Sequence, residues 1–171
     1  QMSPGERPYV FTKCGLTWSA DQRQATPRRN GAPASIRREI EGSLRRLGVE
    51  RIDLYQMHWP AGDGTPLEAY WQELLDLKQA GKVRAVGLSN HNLAQLQDAE
   101  ALGHVESLQP PFSAIQRSAA ADLIPWCAQN GTGVIVYSPM QSGLLSGGFT
   151  AERAQALRQD CLLYTSPSPR D

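Results

Sequence analysis

Strand-like and helix-like segments alternate along this 171-residue chain, and the alternation restricts the folds open to it. The clearest strand is the apolar run Ile52–Met57, which follows a helix-like segment and stops before a proline. Four more segments have a similar β-branched or aromatic character: Tyr9–Gly15, Val83–Leu88, Val105–Gln109 and Gly133–Tyr137. Apolar residues at helical spacing separate them. This order predicts an α/β fold of parallel strands joined by crossover helices.

Local signals predict where the helices begin and end. Ser35 is a candidate N-cap for the helix before Ile52, and Gly48 is expected to end that helix. Asn90 or Asn92 is the candidate N-cap of the helix that follows the third strand. The residues from 16 to 33 are rich in Gln, Arg, Asn and Gly, which indicates a long loop.

Composition and charge argue against several classes of protein. Lys and Arg number 17 and Asp and Glu number 17, so the charge balance gives no reason to expect nucleic acid. No apolar run approaches the roughly 20 residues that span a bilayer, and residues 1–8 lack the apolar centre of a signal peptide. Three widely spaced cysteines suggest neither a disulfide framework nor a zinc site. We therefore expect a soluble, cytoplasmic protein without a metal, and no oligomeric state is indicated.

Polar residues stand where the predicted strands end. Lys13 lies near the end of the first strand, His58 follows the second, and Ser89 and Asn90 follow the third. In barrel enzymes the carboxyl ends of parallel strands carry the catalytic groups. Each residue also has an ordinary structural explanation, as a solvated strand-end lysine, a hydrogen-bonded core histidine or a helix cap.

Three motifs, in order, carry a resemblance to a known family. They are Asp53–Pro60, Gly81–Asn90 and Val136–Pro139, which read DLYQMHWP, GKVRAVGLSN and VYSP. Together they resemble the aldo-keto reductases, over a stretch from about Tyr9 to about Gly148. The resemblance implies a (β/α)8 TIM barrel.

Such a barrel needs about 250 residues, so a partial barrel with about five βα units is expected. Residues 1–160 are interpreted as one incomplete reductase domain. The segment 161–171 has no helical or strand periodicity, and it is interpreted as a non-native or disordered tail.

The family's activity is hydride transfer from NADPH to an aldehyde or a ketone, by means of an Asp, a Tyr, a Lys and a His. Lys13 and His58 match the family's lysine and histidine. The family's Asp and Tyr precede the lysine strand, and no residue here matches them. Since loss of a general acid commonly removes about 10²–10⁴ of rate, we expect this chain alone to reduce no carbonyl measurably.

The resemblance also implies an NADP(H) site. Ser89, Asn90 and Gln109 match residues that bind the nicotinamide carboxamide, and Tyr137 matches an aromatic that stacks on the nicotinamide ring. Without the resemblance, Tyr137 would be interpreted as an ordinary core residue. The resemblance also implies that Trp59 lines the substrate pocket. The loop after Tyr137 is expected to hold the pyrophosphate through backbone amides and small hydroxyls, with four residues as candidate contacts: Ser138, Met140, Ser142 and Leu145.

Two other functions remain open from the sequence. Some barrels of this kind resemble enzymes but act as non-catalytic, NADP-binding regulatory subunits, which bind coenzyme with negligible turnover. A phosphate-binding isomerase or aldolase would instead need a phosphate loop later in the barrel, and it would not need a stacking Tyr137. The combination of motifs favours the reductase.

Overall fold

The structure, a computed structural model, describes residues 7–18, 26–148 and 150. This part of the chain contains seven strands, four α-helices and one 3-10 turn, Ser118–Ala120. The strands are β1 Phe11–Cys14, β2 Leu16–Thr17, β3 Arg28–Arg29, β4 Ile52–Met57, β5 Val83–Ser89, β6 Ser107–Gln109 and β7 Gly133–Val134. The helices are α1 Pro33–Leu47, α2 Leu67–Gln79, α3 Leu93–Leu102 and α4 Leu123–Asn130.

Five strands form one parallel sheet in the order β1-β4-β5-β6-β7, which is also their order along the chain. A helix lies between each pair of neighbours, so every connection is a crossover. The predicted α/β architecture with five parallel strands is confirmed. Strands β2 and β3 stand apart as a two-stranded antiparallel ribbon.

The core lies between β4 and the helices that cover it. All six residues of β4 are buried, and Ile52, Tyr55 and Met57 belong to one apolar cluster with residues of α1 and α2. Two polar residues of β4 keep partners: Asp53 accepts from Val10 N and from the Arg7 guanidinium, and Gln56 donates to the Ser107 hydroxyl. Pairing removes most of the cost of burying these groups. Trp71 of α2 is fully buried, whereas Trp126 is half-buried against the cluster.

Two helix boundaries follow the local signals. Gly48 closes α1 with φ of 64°, the left-handed conformation that glycine adopts without a Cβ penalty. Asn92 caps α3, and it forms a reciprocal capping box with Gln95. Asn92, not Asn90, is therefore the cap, which leaves the Asn90 side chain available for other contacts.

Other local predictions are wrong. Ser35 is not the N-cap of α1: the helix begins at Pro33, and the Ser35 hydroxyl donates to Glu39 within it. The loop predicted for residues 16–33 contains β2 and β3. Leu16 pairs with Arg29, and local sequence patterns do not reveal a pairing between residues this far apart in the chain. The outer strands are also shorter than predicted, and β7 spans only Gly133–Val134.

Two helical pieces lie between β6 and β7. The 3-10 turn comes first, Asp122 then caps α4, and Pro125 lies in the first turn of that helix, where a missing N–H breaks no helical hydrogen bond.

The cysteines in the described part, Cys14 and Cys127, are free and buried. The predicted tail, 161–171, lies outside the described residues. No helix within that part has the length and apolar character to cross a membrane.

Candidate active site

A cavity of about 250 Å³ opens at the carboxyl ends of the parallel strands. It brings together seven residues that sequence reasoning singled out: Lys13, His58, Trp59, Ser89, Asn90, Gln109 and Tyr137. They come from β1, the end of β4, β5, β6 and the segment after β7. Side chains distant in sequence meet here because parallel strands all end at the same edge of the sheet.

Four residues in register form a row across the sheet that begins at Lys13 of the cavity lining. Lys13, Gln56, Gly87 and Ser107 are register partners on four successive strands, so their positions share one face. Gln56 Nε2 donates to Ser107 Oγ at 2.9 Å across the strand that carries Gly87. A Cβ on Gly87 would lie 2.1 Å from Ser107 Oγ. Glycine at this position therefore leaves room for the hydrogen bond between its neighbours.

Lys13 and His58 are the two basic side chains in the lining of the cavity. Partial burial lowers the pKa of Lys13. Burial, and secondly the positive charge of Lys13, lower the pKa of His58, so its imidazole is neutral at neutral pH. The backbone N–H of His58 donates to Cys14 O at 3.0 Å, which joins the end of β4 to the end of β1. A neutral imidazole and an ammonium group side by side are suited to bind a carbonyl oxygen that gains negative charge.

Asn90 occupies the centre of a hydrogen-bond network at the end of β5. Its φ of 63° is left-handed, a conformation in which Asn is enriched among non-glycine residues. Asn90 Nδ2 donates to His58 O at 2.9 Å and to Ser89 Oγ at 3.1 Å. Ser89 Oγ and Asn90 N in turn both donate to Gln109 O. The network fixes three predicted coenzyme contacts relative to the backbone of His58.

Gln109 contributes an acceptor that no described residue uses. Its Oε1 is buried and has no hydrogen-bond partner. A buried acceptor without a partner is costly in a folded protein, and it indicates that something else completes the site. The NH2 of a nicotinamide carboxamide would supply the missing donor. The residues present therefore fit the coenzyme that the family resemblance implies.

Tyr137 closes the cavity from the side of β7. Its hydroxyl donates to Asn90 Oδ1 at 2.6 Å, and burial raises its pKa, so the hydroxyl stays protonated. The backbone bridge between Pro111 and Tyr137 extends the sheet beyond β7 and carries the ring to the strand ends. The hydroxyl contact and the backbone bridge together hold the ring at the cavity wall, and its stacking on the nicotinamide stays a prediction.

The four remaining predicted residues lie in the turns after Tyr137, outside the cavity lining: Ser138, Met140, Ser142 and Leu145. Several backbone N–H groups of this segment donate to carbonyls within it, including Gly143 N to Met140 O and Leu145 N to Met140 O. Those amides are engaged inside the segment, so the pyrophosphate role of these residues stays a prediction.

The sequence did not predict the contacts of two residues beside the site, His91 and Arg29. His91, fully buried, accepts at Nε2 from the Tyr70 hydroxyl and donates from Nδ1 to Ser89 O, each at 2.9 Å. The tautomer follows because a carbonyl oxygen only accepts. Arg29 lies over the ring of Trp59, with Cζ 4.3 Å from its centroid. The Tyr70–His91 and Arg29–Trp59 contacts join residues from different elements, so the periodicity of the sequence does not reveal them. Within residues 7–18, 26–148 and 150, no cluster of metal-binding side chains occurs.

Known proteins show extensive sequence similarity to this chain. The sequence model of the aldo/keto reductase family matches residues 1–161. The NADH-specific methylglyoxal reductase of Escherichia coli (strain K12) is 35% identical over 159 residues, which make up 87% of this chain and 48% of that protein. The chain thus spans about half the length of the curated relatives it matches.

Solved structures show the same relationship. The glycerol dehydrogenase AKR11B4 from Gluconobacter oxydans superposes with a TM-score of 0.83 at 36% identity, over 96% of this chain and 50% of that one. An aldo/keto reductase from Klebsiella pneumoniae in complex with NADP and acetate gives a TM-score of 0.60 at 31% identity, over 70% and 43% of the two chains. These neighbours confirm the predicted partial TIM barrel. By sequence and by fold, this chain belongs to the aldo/keto reductase family.

Proposed function

We propose that this chain is part of an oxidoreductase that transfers a hydride from NADPH to a small aldehyde or ketone. The observation that carries the proposal is the cavity itself, where the unpartnered Oε1 of Gln109 lies in the same lining as Lys13 and His58. The Oε1 acceptor of Gln109 is available to the carboxamide NH2 of a coenzyme. The ammonium group of Lys13 and the N–H of His58 are available to the carbonyl oxygen of a substrate.

Each side chain has a distinct task in this proposal. Gln109 accepts a hydrogen bond from the carboxamide, and the ring of Tyr137 fixes which face of the nicotinamide points to the substrate. When bound, the reduced nicotinamide supplies the hydride. His58 donates an N–H to the substrate oxygen, and the ammonium of Lys13 favours the negative charge that grows there. Carbonyl reduction also needs a proton donor, and we expect it to come from residues outside this chain.

Coenzyme binding tests the proposal without turnover. The purified chain is titrated with NADPH and with NADH, and the fluorescence of the bound nicotinamide is followed. Both coenzymes are needed because the E. coli relative is named NADH-specific and the K. pneumoniae structure contains NADP. Gln109→Leu removes the unpartnered acceptor, and we expect it to weaken binding about tenfold.

The matched control is Gln79→Leu, the same substitution at an exposed position at the end of α2. It should bind coenzyme as the unmodified chain does. Absence of binding at millimolar concentrations of both coenzymes would contradict the proposal. So would a Gln109→Leu variant that binds as tightly as the Gln79→Leu control.

A further inference from the structure

Arg29 places a fixed positive charge at the rim of the candidate active site. Its guanidinium stacks on the indole of Trp59, with Cζ 4.3 Å from the ring centroid. Trp59 lines the cavity, and it directly follows His58. Arg29 itself is exposed, so its N–H groups are open to a ligand. An accessible cation therefore lies against Trp59, a residue of the cavity wall, although Arg29 is not itself part of the lining.

Backbone contacts hold Arg29 in this position. Its carbonyl oxygen accepts from Gly62 N at 3.3 Å, in the loop after β4. A Cβ on Gly62 would come within 3.2 Å of Arg29 Cβ, which shows how closely the two backbones approach. The next residue, Asn30, donates to Gly15 O at 3.0 Å, at the end of β1. The β2–β3 ribbon is thus anchored to the ends of both strands that carry the catalytic pair.

Among the described residues, no acidic side chain forms an ion pair with the guanidinium. Asp63 lies in the loop against the ribbon, and its carboxylate accepts from the backbone N–H groups of Gly31 and Thr65. The cavity lining contains no Asp or Glu, and Lys13 adds a second positive charge. The electrostatic field at the rim therefore favours an anion.

A stacked guanidinium is well prepared to bind a carboxylate. Stacking on an aromatic face uses the plane of the group and leaves its N–H donors pointing outward in that plane. Those donors match the two oxygens of a carboxylate in a bidentate pair. Trp59 also restricts the side chain beforehand, which lowers the entropic cost of binding.

We propose that Arg29 recognises a carboxylate on the substrate, so that the preferred substrates are aldehydes or ketones that also carry an acid group. The inference rests on the proposed function, since it places the carbonyl of that substrate between Lys13 and His58. It adds a specificity residue on a ribbon that the sequence does not predict.

The test compares two ligands that share the aldehyde and the ring, the anion para-carboxybenzaldehyde and its uncharged methyl ester. Calorimetric titration with and without NADP+ gives their affinities for the unmodified chain, Arg29→Gln and Arg28→Gln. Arg28 is the neighbouring exposed arginine on β3, where alternate side chains point to opposite faces. Its substitution makes the same change in net charge.

Arg29→Gln should weaken binding of the acid about tenfold and leave the ester within about twofold. Arg28→Gln should bind both ligands as the unmodified chain does. The inference is overturned if the unmodified chain binds the acid no better than the ester, if the two variants behave alike, or if Arg29→Gln weakens both ligands equally. The last result would mean that Arg29 merely supports Trp59.

Coenzyme titration of the same variants separates this inference from the proposed function. Arg29→Gln should bind NADPH unchanged, because Arg29 is not among the residues that line the cavity and contacts it only through Trp59. Coenzyme binding without preference for the acid refutes the inference alone. Preference for the acid that depends on Arg29, in a chain that binds neither coenzyme, refutes the proposed function and leaves only an anion site.

Discussion

Tyr137 donates a 2.6 Å hydrogen bond to Oδ1 of Asn90, a residue 47 positions earlier in the chain. The bond joins the segment after β7 to the end of β5, and both residues line the cavity. Asn90 also contacts His58 through Nδ2. The proposed stacking platform and the proposed catalytic histidine are therefore held by one amide side chain.

The first prediction concerns this hydrogen bond. Tyr137→Phe keeps the ring but releases it from Asn90, and we expect NADPH affinity to fall about fivefold, the effect of losing a hydrogen bond worth about 1 kcal/mol. Fluorescence titration with NADPH measures the change. Tyr55→Phe is the matched control, because the Tyr55 hydroxyl is buried without a partner and lies outside the cavity lining. Equal affinities of the two variants would show that the Asn90 contact does not position the ring.

The second prediction concerns the pH dependence of stability through His91. Burial lowers the pKa of His91 to about 4, from 6.5 for an unperturbed histidine. Between these values the unfolded chain binds a proton that the folded chain does not. The stabilising contribution is therefore complete above pH 6.5, and it is lost as the pH falls toward 4. Between pH 7 and pH 5 the free energy of unfolding should drop by about 2 kcal/mol from this group.

Urea unfolding at both pH values, with the unmodified chain and with His91→Phe, isolates this contribution. Other titrating groups act on both proteins and cancel in the comparison. His91→Phe should be less sensitive to the change of pH, whatever its stability at pH 7. If both proteins lose the same free energy of unfolding between pH 7 and pH 5, His91 is not the buried neutral group described above.

The third prediction concerns Gly87 in the middle of β5. A Cβ there would lie 2.4 Å from Ser107 O and 2.1 Å from Ser107 Oγ, so an added methyl must push two paired strands apart. Overpacking of this kind costs about 1–3 kcal/mol. We expect Gly87→Ala to lower the urea midpoint accordingly and to disturb the Gln56–Ser107 hydrogen bond.

Gly42→Ala in α1 is the matched control for that substitution. Its new Cβ would meet chiefly the end of the flexible Arg46 side chain, at 2.9 Å from a guanidinium nitrogen. Alanine is also about 1 kcal/mol better than glycine inside a helix. The control should be neutral or slightly stabilising. A Gly87→Ala variant as stable as Gly42→Ala would contradict the close strand approach.

Sequence patterns predicted those parts of the structure that depend on neighbouring residues. The strand Ile52–Met57 has the predicted bounds, and Gly48 ends a helix as expected, because apolar runs and left-handed glycines act locally. The seven lining residues were predicted from strand ends and family motifs, since the order of parallel strands brings their ends together. The fold was therefore accessible from the chain alone.

Contacts between distant residues were not accessible in this way. The ribbon depends on Leu16 pairing with Arg29, and the position of Arg29 over Trp59 depends on that pairing. Ser35 shows the opposite case, a local signal overridden when Pro33 begins the helix earlier and Glu39 takes the hydroxyl. The ribbon and the Arg29–Trp59 contact each depend on a residue in another element. The Ser35 hydroxyl instead has a competing partner, the Glu39 carboxylate, inside its own helix.

The last prediction is that the isolated chain associates with itself at micromolar concentrations. Strands β1 and β7 are the outermost strands of the described sheet, and apolar side chains near these edges are exposed, such as Phe11 at 56% and Val136 at 39%. Unpaired edges with apolar side chains template further pairing. Phe11→Lys places a charge at one edge and should raise the monomer fraction in sedimentation velocity. Leu47→Lys, at a residue that is 45% exposed at the end of α1, should not. A clean monomer with a sharp cooperative melt would contradict this prediction, because the sheet edges would then be stable in water as they are.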